Sequence, residues 1–228
     1  MTRTQRWLIR LVYWTFIGFA ALELHNSFRF LLLNTVLAYV PIELSFWLTK
    51  RRSNWTFWVL GVIWLLFYPN APYLMTDLFH LSLLHPYGVN GMLRFNLEMW
   101  REFAYLIGPM MVSIIVGTWG VDQVAQECAR RLHLTKLPVS RELISVVLFL
   151  FAGIGVYVGR FLRLHSIYLL ITPQYIVDQL VGMWSPKMLA FVLIMWCLQL
   201  LIYATWRFTS VTPNQKWAWD RTQKAIQK

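Results

Sequence analysis

The chain has 228 residues, of which 58% are hydrophobic and only 14% charged, with a formal net charge of +11. A soluble domain carries roughly 25% charged residues, so this composition excludes a soluble globular protein and points to an integral membrane one. It also removes the basic excess as a nucleic-acid signal, because in a membrane protein the placement of Lys and Arg means more than their sum.

Apolar stretches near the ~20 residues that cross ~30 Å of hydrocarbon as a helix fall at about 7–24, 29–49, 54–75, 101–119, 143–159 and 187–206. They predict an all-α, polytopic transmembrane helical bundle of about six spans forming one domain, 1–228. The first stretch follows a basic lead-in, as in a signal peptide. Arg10 near its start and the Leu22-Glu23-Leu24 context favour a retained span instead. With the N-terminus inside, only Arg29, Arg94, Arg101, Arg160, Arg163 and Lys187 of the 21 basic residues lie outside, leaving 15 inside. The charge rule therefore places both termini in the cytoplasm. Trp7, Trp47, Trp55, Trp100, Trp119, Trp184 and Trp206 lie near the span ends, where indole rings prefer the headgroup layer.

In the second span, Asn34, Pro41 and Glu43 interrupt the apolar run. Glu43 and Arg10 sit at similar depth, and an Arg10–Glu43 pair accounts for both; an intramembrane carboxylate is also a proton-relay candidate. The third span is the most unusual, ending in Tyr68-Pro69-Asn70-Ala71-Pro72-Tyr73-Leu74-Met75-Thr76-Asp77-Leu78-Phe79-His80. From Trp55 to Tyr68 is 14 residues, about 21 Å of helix, which is short of the ~30 Å core. The sequence predicts a break over Pro69–Pro72 at outer-leaflet depth, with Asn70 as the N-cap of a second helix running to about Leu84. A break at that depth survives only against protein or a wet cavity. Its free amide hydrogens make an anion site one option, and a shape-only kink is the other. Asp77 and His80 share a face three residues apart.

Residues 120–142 read as a polar cytoplasmic connection with a short helix from Asp122 to Leu134. At the head of the fourth span, Glu98 and Glu102 are flanked by Arg94 and Arg101, which suggests surface pairing or a carboxylate pair facing a histidine. The fifth span ends with Gly155 and Gly159, a small-xxx-small spacing for close helix approach. Arg160, Arg163 and His165 follow. These arginines, against the charge bias, must pair with Asp77 or Glu98, hold phosphate, or snorkel to headgroups. Residues 166–184, with Pro173 and Asp178, read as an outer interfacial or re-entrant segment. Cys128 and Cys197 have neither disulfide nor metal spacing. There is no metal motif, catalytic triad, phosphate loop or dinucleotide fingerprint, and no cofactor is expected.

The segments Trp64–Leu81 and Gly155–Ser166, preceded by Arg29–Pro41, resemble the multi-pass membrane family described as domain of unknown function 1361. The prolines, Asn70, Asp77 and Gly159-Arg160-Phe161-Leu162-Arg163 follow that family's pattern. Arg94-Phe95-Asn96-Leu97-Glu98 departs from it, standing where an aromatic-aromatic-aspartate element is expected. The resemblance implies a bacterial cytoplasmic-membrane protein and nothing catalytic.

These features suggest a polar pocket open to the outer face. Asp77 or His80 would act as base, with Asn70, Arg160, Arg163, Glu98 and His165 as ligand-binding residues and Pro69, Pro72, Gly155, Gly159, Arg10 and Glu43 as structural ones. The leading expectation is binding or modification of an anionic lipid or envelope precursor in the bilayer. The alternatives are a transporter component that uses the broken helix, and a non-catalytic partner of another membrane protein.

Overall fold

The computed structural model describes residues 1–23, 29–134, 137, 139–163 and 173–210. In chain order the helices are α1 (Arg3–Glu23), α2 (Arg29–Trp47), α3 (Asn54–Phe67), α4 (Asn70–Asp77), a 3-10 turn (Leu78–Leu84), α5 (Leu97–Arg131), α6 (Ser140–Arg160), α7 (Pro173–Gly182) and α8 (Pro186–Ser210). The fold is an all-helical bundle. Among the described residues, five stretches are long and apolar enough to cross a membrane: Arg29–Trp47, Asn54–Leu84, Leu97–Arg131, Ser140–Arg160 and Pro186–Thr209. The sixth expected span, α1, has 21 residues, but Arg3, Gln5, Arg6 and Arg10 dilute its first half, and it is not among the five.

The short helix α4 is the hub, packing on α2, α5 and α6. Outside it, α6 packs on α8 and α1 lies along α2. The largest core cluster joins Trp64 and Tyr68, stacked with centroids 4.9 Å apart, to Phe149 and Tyr203.

The connection expected over 120–142 is instead largely helix, since α5 runs unbroken for 35 residues to Arg131. Several of its polar residues bind neighbouring elements. Gln123 Nε2 donates to the carbonyls of Ser45 (2.6 Å) and Leu48 (3.1 Å) at the end of α2. Arg131 donates to the Arg52 carbonyl at 2.8 Å and lies over the Phe57 ring. Asp122, 3% exposed, accepts a forked pair of hydrogen bonds from Arg141 and another from Tyr203 Oη at 3.1 Å, tying α5 to α6 and α8. Arg6 binds the Phe46 carbonyl, and Arg207 pairs with Glu142 at 2.8 Å. The N-termini of α1 and α6 thus meet the C-termini of α2, α5 and α8, so most of the described basic residues gather at one end of the bundle.

The interruption in the third stretch falls where expected but is built differently. Tyr68 (φ −56°, ψ −38°) and Pro69 (φ −53°, ψ −23°) both stay in the right-handed helical region. The break therefore lies in the hydrogen-bond ladder rather than in chain direction. Pro69 and Pro72 supply no amide hydrogen, and Ala71 N–H tightens onto Tyr68 O at 3.0 Å, leaving Phe67 O without its usual donor. Asn70 Nδ2 fills that vacancy at 2.8 Å. Asn70 is therefore not the N-cap, a position held by Pro69 without a side-chain bond. Its amide replaces a lost backbone donor, which matters because an orphan carbonyl away from water is costly. Asn70→Ala should lose about 1–3 kcal/mol, and Asn70→Leu should do no better. The check is the thermal midpoint of the purified variants in one detergent.

Candidate functional site

The other end of the bundle holds the polar cluster. Helix α4 carries Tyr73 and Asp77 one turn apart, and His80 follows on the 3-10 turn. Asp77 is 1% exposed. Its Oδ2 accepts from Asn34 Nδ2 of α2 at 2.8 Å, and its Oδ1 from Arg160 of α6 at 3.0 Å. Arg160 also donates to Tyr73 Oη (3.2 Å) and to the Thr76 carbonyl (3.1 Å), and its guanidinium lies 5.4 Å from the Tyr73 ring centre. One carboxylate thus joins three helices through a charged and a neutral partner, which is how a buried charge is tolerated.

Two glycines bring α6 close enough for this. A Cβ on Gly155 would fall 2.3 Å from Pro69 Cγ, so only glycine admits the proline ring. Gly159 faces the Tyr73 ring at an ordinary 3.6 Å. On the opposite side, Gly117 of α5 leaves room for Ala71 and Tyr68. The interrupted ladder is thus clamped between protein surfaces.

His80 sits at the rim with its side chain 27% exposed, stacked on Phe30 with centroids 4.1 Å apart. Its Nδ1 is 3.0 Å from the Asp77 carbonyl and 4.0 Å from Asp77 Oδ1. A carbonyl only accepts, so in this contact Nδ1 is the donor and Nε2 points away from the Asp77 carbonyl. Asp77 has both oxygens engaged and is closed off from the surface, whereas the His80 side chain is partly exposed.

The remaining expected site residues are placed elsewhere. Glu98 lies exposed in the first turn of α5, 3.6 Å from Arg101, and it makes no contact with Asp77 or Arg160. Arg163, three residues past Arg160, is exposed in a left-handed conformation (φ 53°) and has no ion-pair partner among the described residues. His165 lies outside the described residues, as does the first part of the 166–184 segment. The later part of that segment holds α7. Arg10 and Glu43 meet at the basic end, forked at 2.6 and 2.9 Å, with Tyr39 Oη and Trp47 Nε1 also donating to Glu43. Among the described residues, no three His, Cys, Asp or Glu side chains converge as metal ligands.

Asn34 and Tyr73 were not anticipated as site members. Asn34 carried one usable signal, an amide isolated in the apolar run Leu31-Leu32-Leu33-Asn34-Thr35-Val36-Leu37, which demands a partner. Tyr73 carried none, since a tyrosine near a span end is ordinary.

Comparison with curated proteins and with solved structures found no match. The family model described as "Protein of unknown function (DUF1361)" matches residues 33–202, a range that takes in the interrupted helix, Asn34, Asp77 and Arg160. With three quarters of its length covered, the chain belongs to the DUF1361 family.

Proposed function

We propose that the protein binds the phosphate of an anionic amphiphile, a phospholipid or an envelope lipid precursor, at the outer-leaflet end of the bundle. The observation that carries this reading is the state of Arg160. One face of its guanidinium is spent on Asp77, Thr76 and Tyr73, while its Nε–H makes no hydrogen bond among the described residues and the side chain is 22% exposed. Asp77 fixes the arginine's pose and balances its charge. Arg163 then adds a cation with no ion-pair partner among the described residues, so this end favours an anion. A guanidinium with its fork held in place suits phosphate oxygens, and His80 Nε2 is free to take a proton from a headgroup hydroxyl.

The transporter alternative needs the break to line a wet cavity, and Pro69 packed on Gly155, with Tyr68 and Ala71 packed on Gly117, does not support it. The partner-protein alternative relied on the glycine face, which α6 spends on Pro69 and Tyr73 within the chain.

The reading is tested by quantifying lipids that copurify with the wild type, Arg163→Ala and His80→Ala in a mild nonionic detergent. The wild type should be enriched in an anionic lipid relative to its source membrane, and Arg163→Ala should lose roughly tenfold of that enrichment, in line with about 1 kcal/mol or somewhat more per surface cation. A lipid profile that matches the bulk membrane and is unmoved by either substitution would end this proposal.

A further inference from the structure

We infer that the opposite, basic end of the bundle carries a second anion site, a cleft for a ligand bearing two or more phosphate groups. The N-terminal turns of α1, the end of α2 and the loop before α3 border an open cleft of about 910 Å³ against α5. Arg3, Arg6, Arg10, Lys50, Arg51 and Arg52 line it.

Most of that charge is uncompensated. Arg10 is neutralised by Glu43 at 2.6 Å. Glu127, the acidic residue in the lining, is taken up by Arg130 at 2.7 Å, with Arg131 at 4.0 Å. Arg3, Arg6, Lys50, Arg51 and Arg52 have no carboxylate partner among the described residues. Arg6 is also held in place, with its Nη1 donating to the Phe46 carbonyl at 3.1 Å, while its buried Nε–H lacks an acceptor.

A retention signal for the cytoplasmic side needs only basic residues near a span end. It does not need them gathered around one cavity, where like charges repel and raise the potential felt by an anion. Five free cations exceed what one phosphodiester neutralises, and the volume falls in the range of small-molecule sites. Both points favour a ligand with several phosphate charges. Such a group reaches the cleft either as a lipid headgroup from the adjacent bilayer, past the exposed rings of Trp7 and Trp47, or as a free diphosphate.

The test titrates the purified full chain in nonionic detergent with two probes: inorganic pyrophosphate, and micellar diphosphatidylglycerol. It is then repeated on the Arg3→Gln/Lys50→Gln/Arg51→Gln variant, which changes exposed side chains only. Charge loss is controlled by Arg29→Gln/Arg94→Gln/Lys187→Gln, three exposed cations away from the cleft. Saturable binding of either probe, weakened roughly a hundredfold in the triple variant and within about twofold of wild type in the control, supports the site. Pyrophosphate binding identifies a free ligand, and binding of the lipid alone identifies a headgroup. Absent saturation with both probes, or equal weakening in the control, overturns it. Because these substitutions leave Arg160, Arg163 and His80 untouched, the result is separable from the copurification test at the other end.

Discussion

Arg160→Ala is expected to be among the most destabilising single substitutions in the chain. It leaves the Asp77 carboxylate, 1% exposed, with Asn34 as its one remaining strong donor and no fixed positive charge nearby. Removing one member of a buried ion pair costs about 3–5 kcal/mol, most of it the penalty of the stranded charge rather than the worth of the pair. For a chain of this length that corresponds to a fall in thermal midpoint of roughly 10 °C. Arg160 also holds the Thr76 carbonyl and Tyr73 Oη, so their loss adds to the effect. The double variant Asp77→Leu/Arg160→Met removes both charges and keeps most of the volume, and it should recover at least half of the lost midpoint. The comparison is read by nano-scale fluorimetry on detergent-purified protein. Should the double variant prove as unstable as the single, the stranded charge is not the cause. Should Arg160→Ala unfold within about 2 °C of wild type, Asp77 is not buried as described. Loss of lipid enrichment in Arg163→Ala at unchanged midpoint would separate ligand binding from this structural role.

An Asp77–Arg160 pair was one option legible in the sequence, beside pairing with Glu98, phosphate binding and snorkelling, because both features are local and exceptional. A proline pair stops the ladder after a countable 14 residues of α3, and a buried acid must find a cation. The arginines that break the charge bias at the end of α6 were the available partners. The distinction between them was not legible. Arg160 is the last residue of α6 and stays in phase with its glycine face, whereas Arg163 lies beyond the end of the helix, exposed and itself in a left-handed conformation. Glu98 misled for a related reason. A carboxylate in a first helical turn is stabilised by the helix dipole wherever it points, so its presence says little about its neighbours.

The polar part of α5 shows the limit of composition as a guide. Asp122 and Gln123 resemble part of a solvated connection because their partners are remote in sequence. Gln123 serves carbonyls 75 and 78 residues away, and Asp122 is satisfied by Arg141 and Tyr203. Helix continuity there is set by tertiary contacts that no local window contains. Asn70 was misassigned through an equally physical ambiguity. An asparagine beside a proline can cap the next helix or repair the previous one, and the choice depends on whether the chain leaves the helical region. It does not leave it, so repair is the outcome.

Gly155→Ala makes the second large prediction, and it isolates the α4–α6 seam from the charges above it. The added methyl would sit 2.3 Å from Pro69 Cγ and 2.7 Å from Pro69 Cβ. A pyrrolidine ring has no rotamer to escape into, so α6 must move away from α4 as a body. Overpacking of this kind costs about 1–3 kcal/mol, and more where the neighbour is rigid. Because the seam carries Arg160 towards Asp77, the displacement should also weaken that pair, and the total should approach the cost of Arg160→Ala. Three comparisons make the cause identifiable. Gly159→Ala, where the nearest atom is at 3.6 Å, and Gly61→Ala, where nothing lies within 4 Å, should leave the midpoint within about 2 °C of wild type or raise it. Pro69→Ala in the Gly155→Ala background removes the ring Cγ and restores an amide hydrogen to the ladder, so the double variant should be more stable than Gly155→Ala alone. A double-mutant cycle reads this as a favourable coupling of at least about 1 kcal/mol. Additive effects at the two positions would mean that the ring and the glycine do not touch, and the clamp that holds Asp77 against Arg160 would have to lie elsewhere along α6.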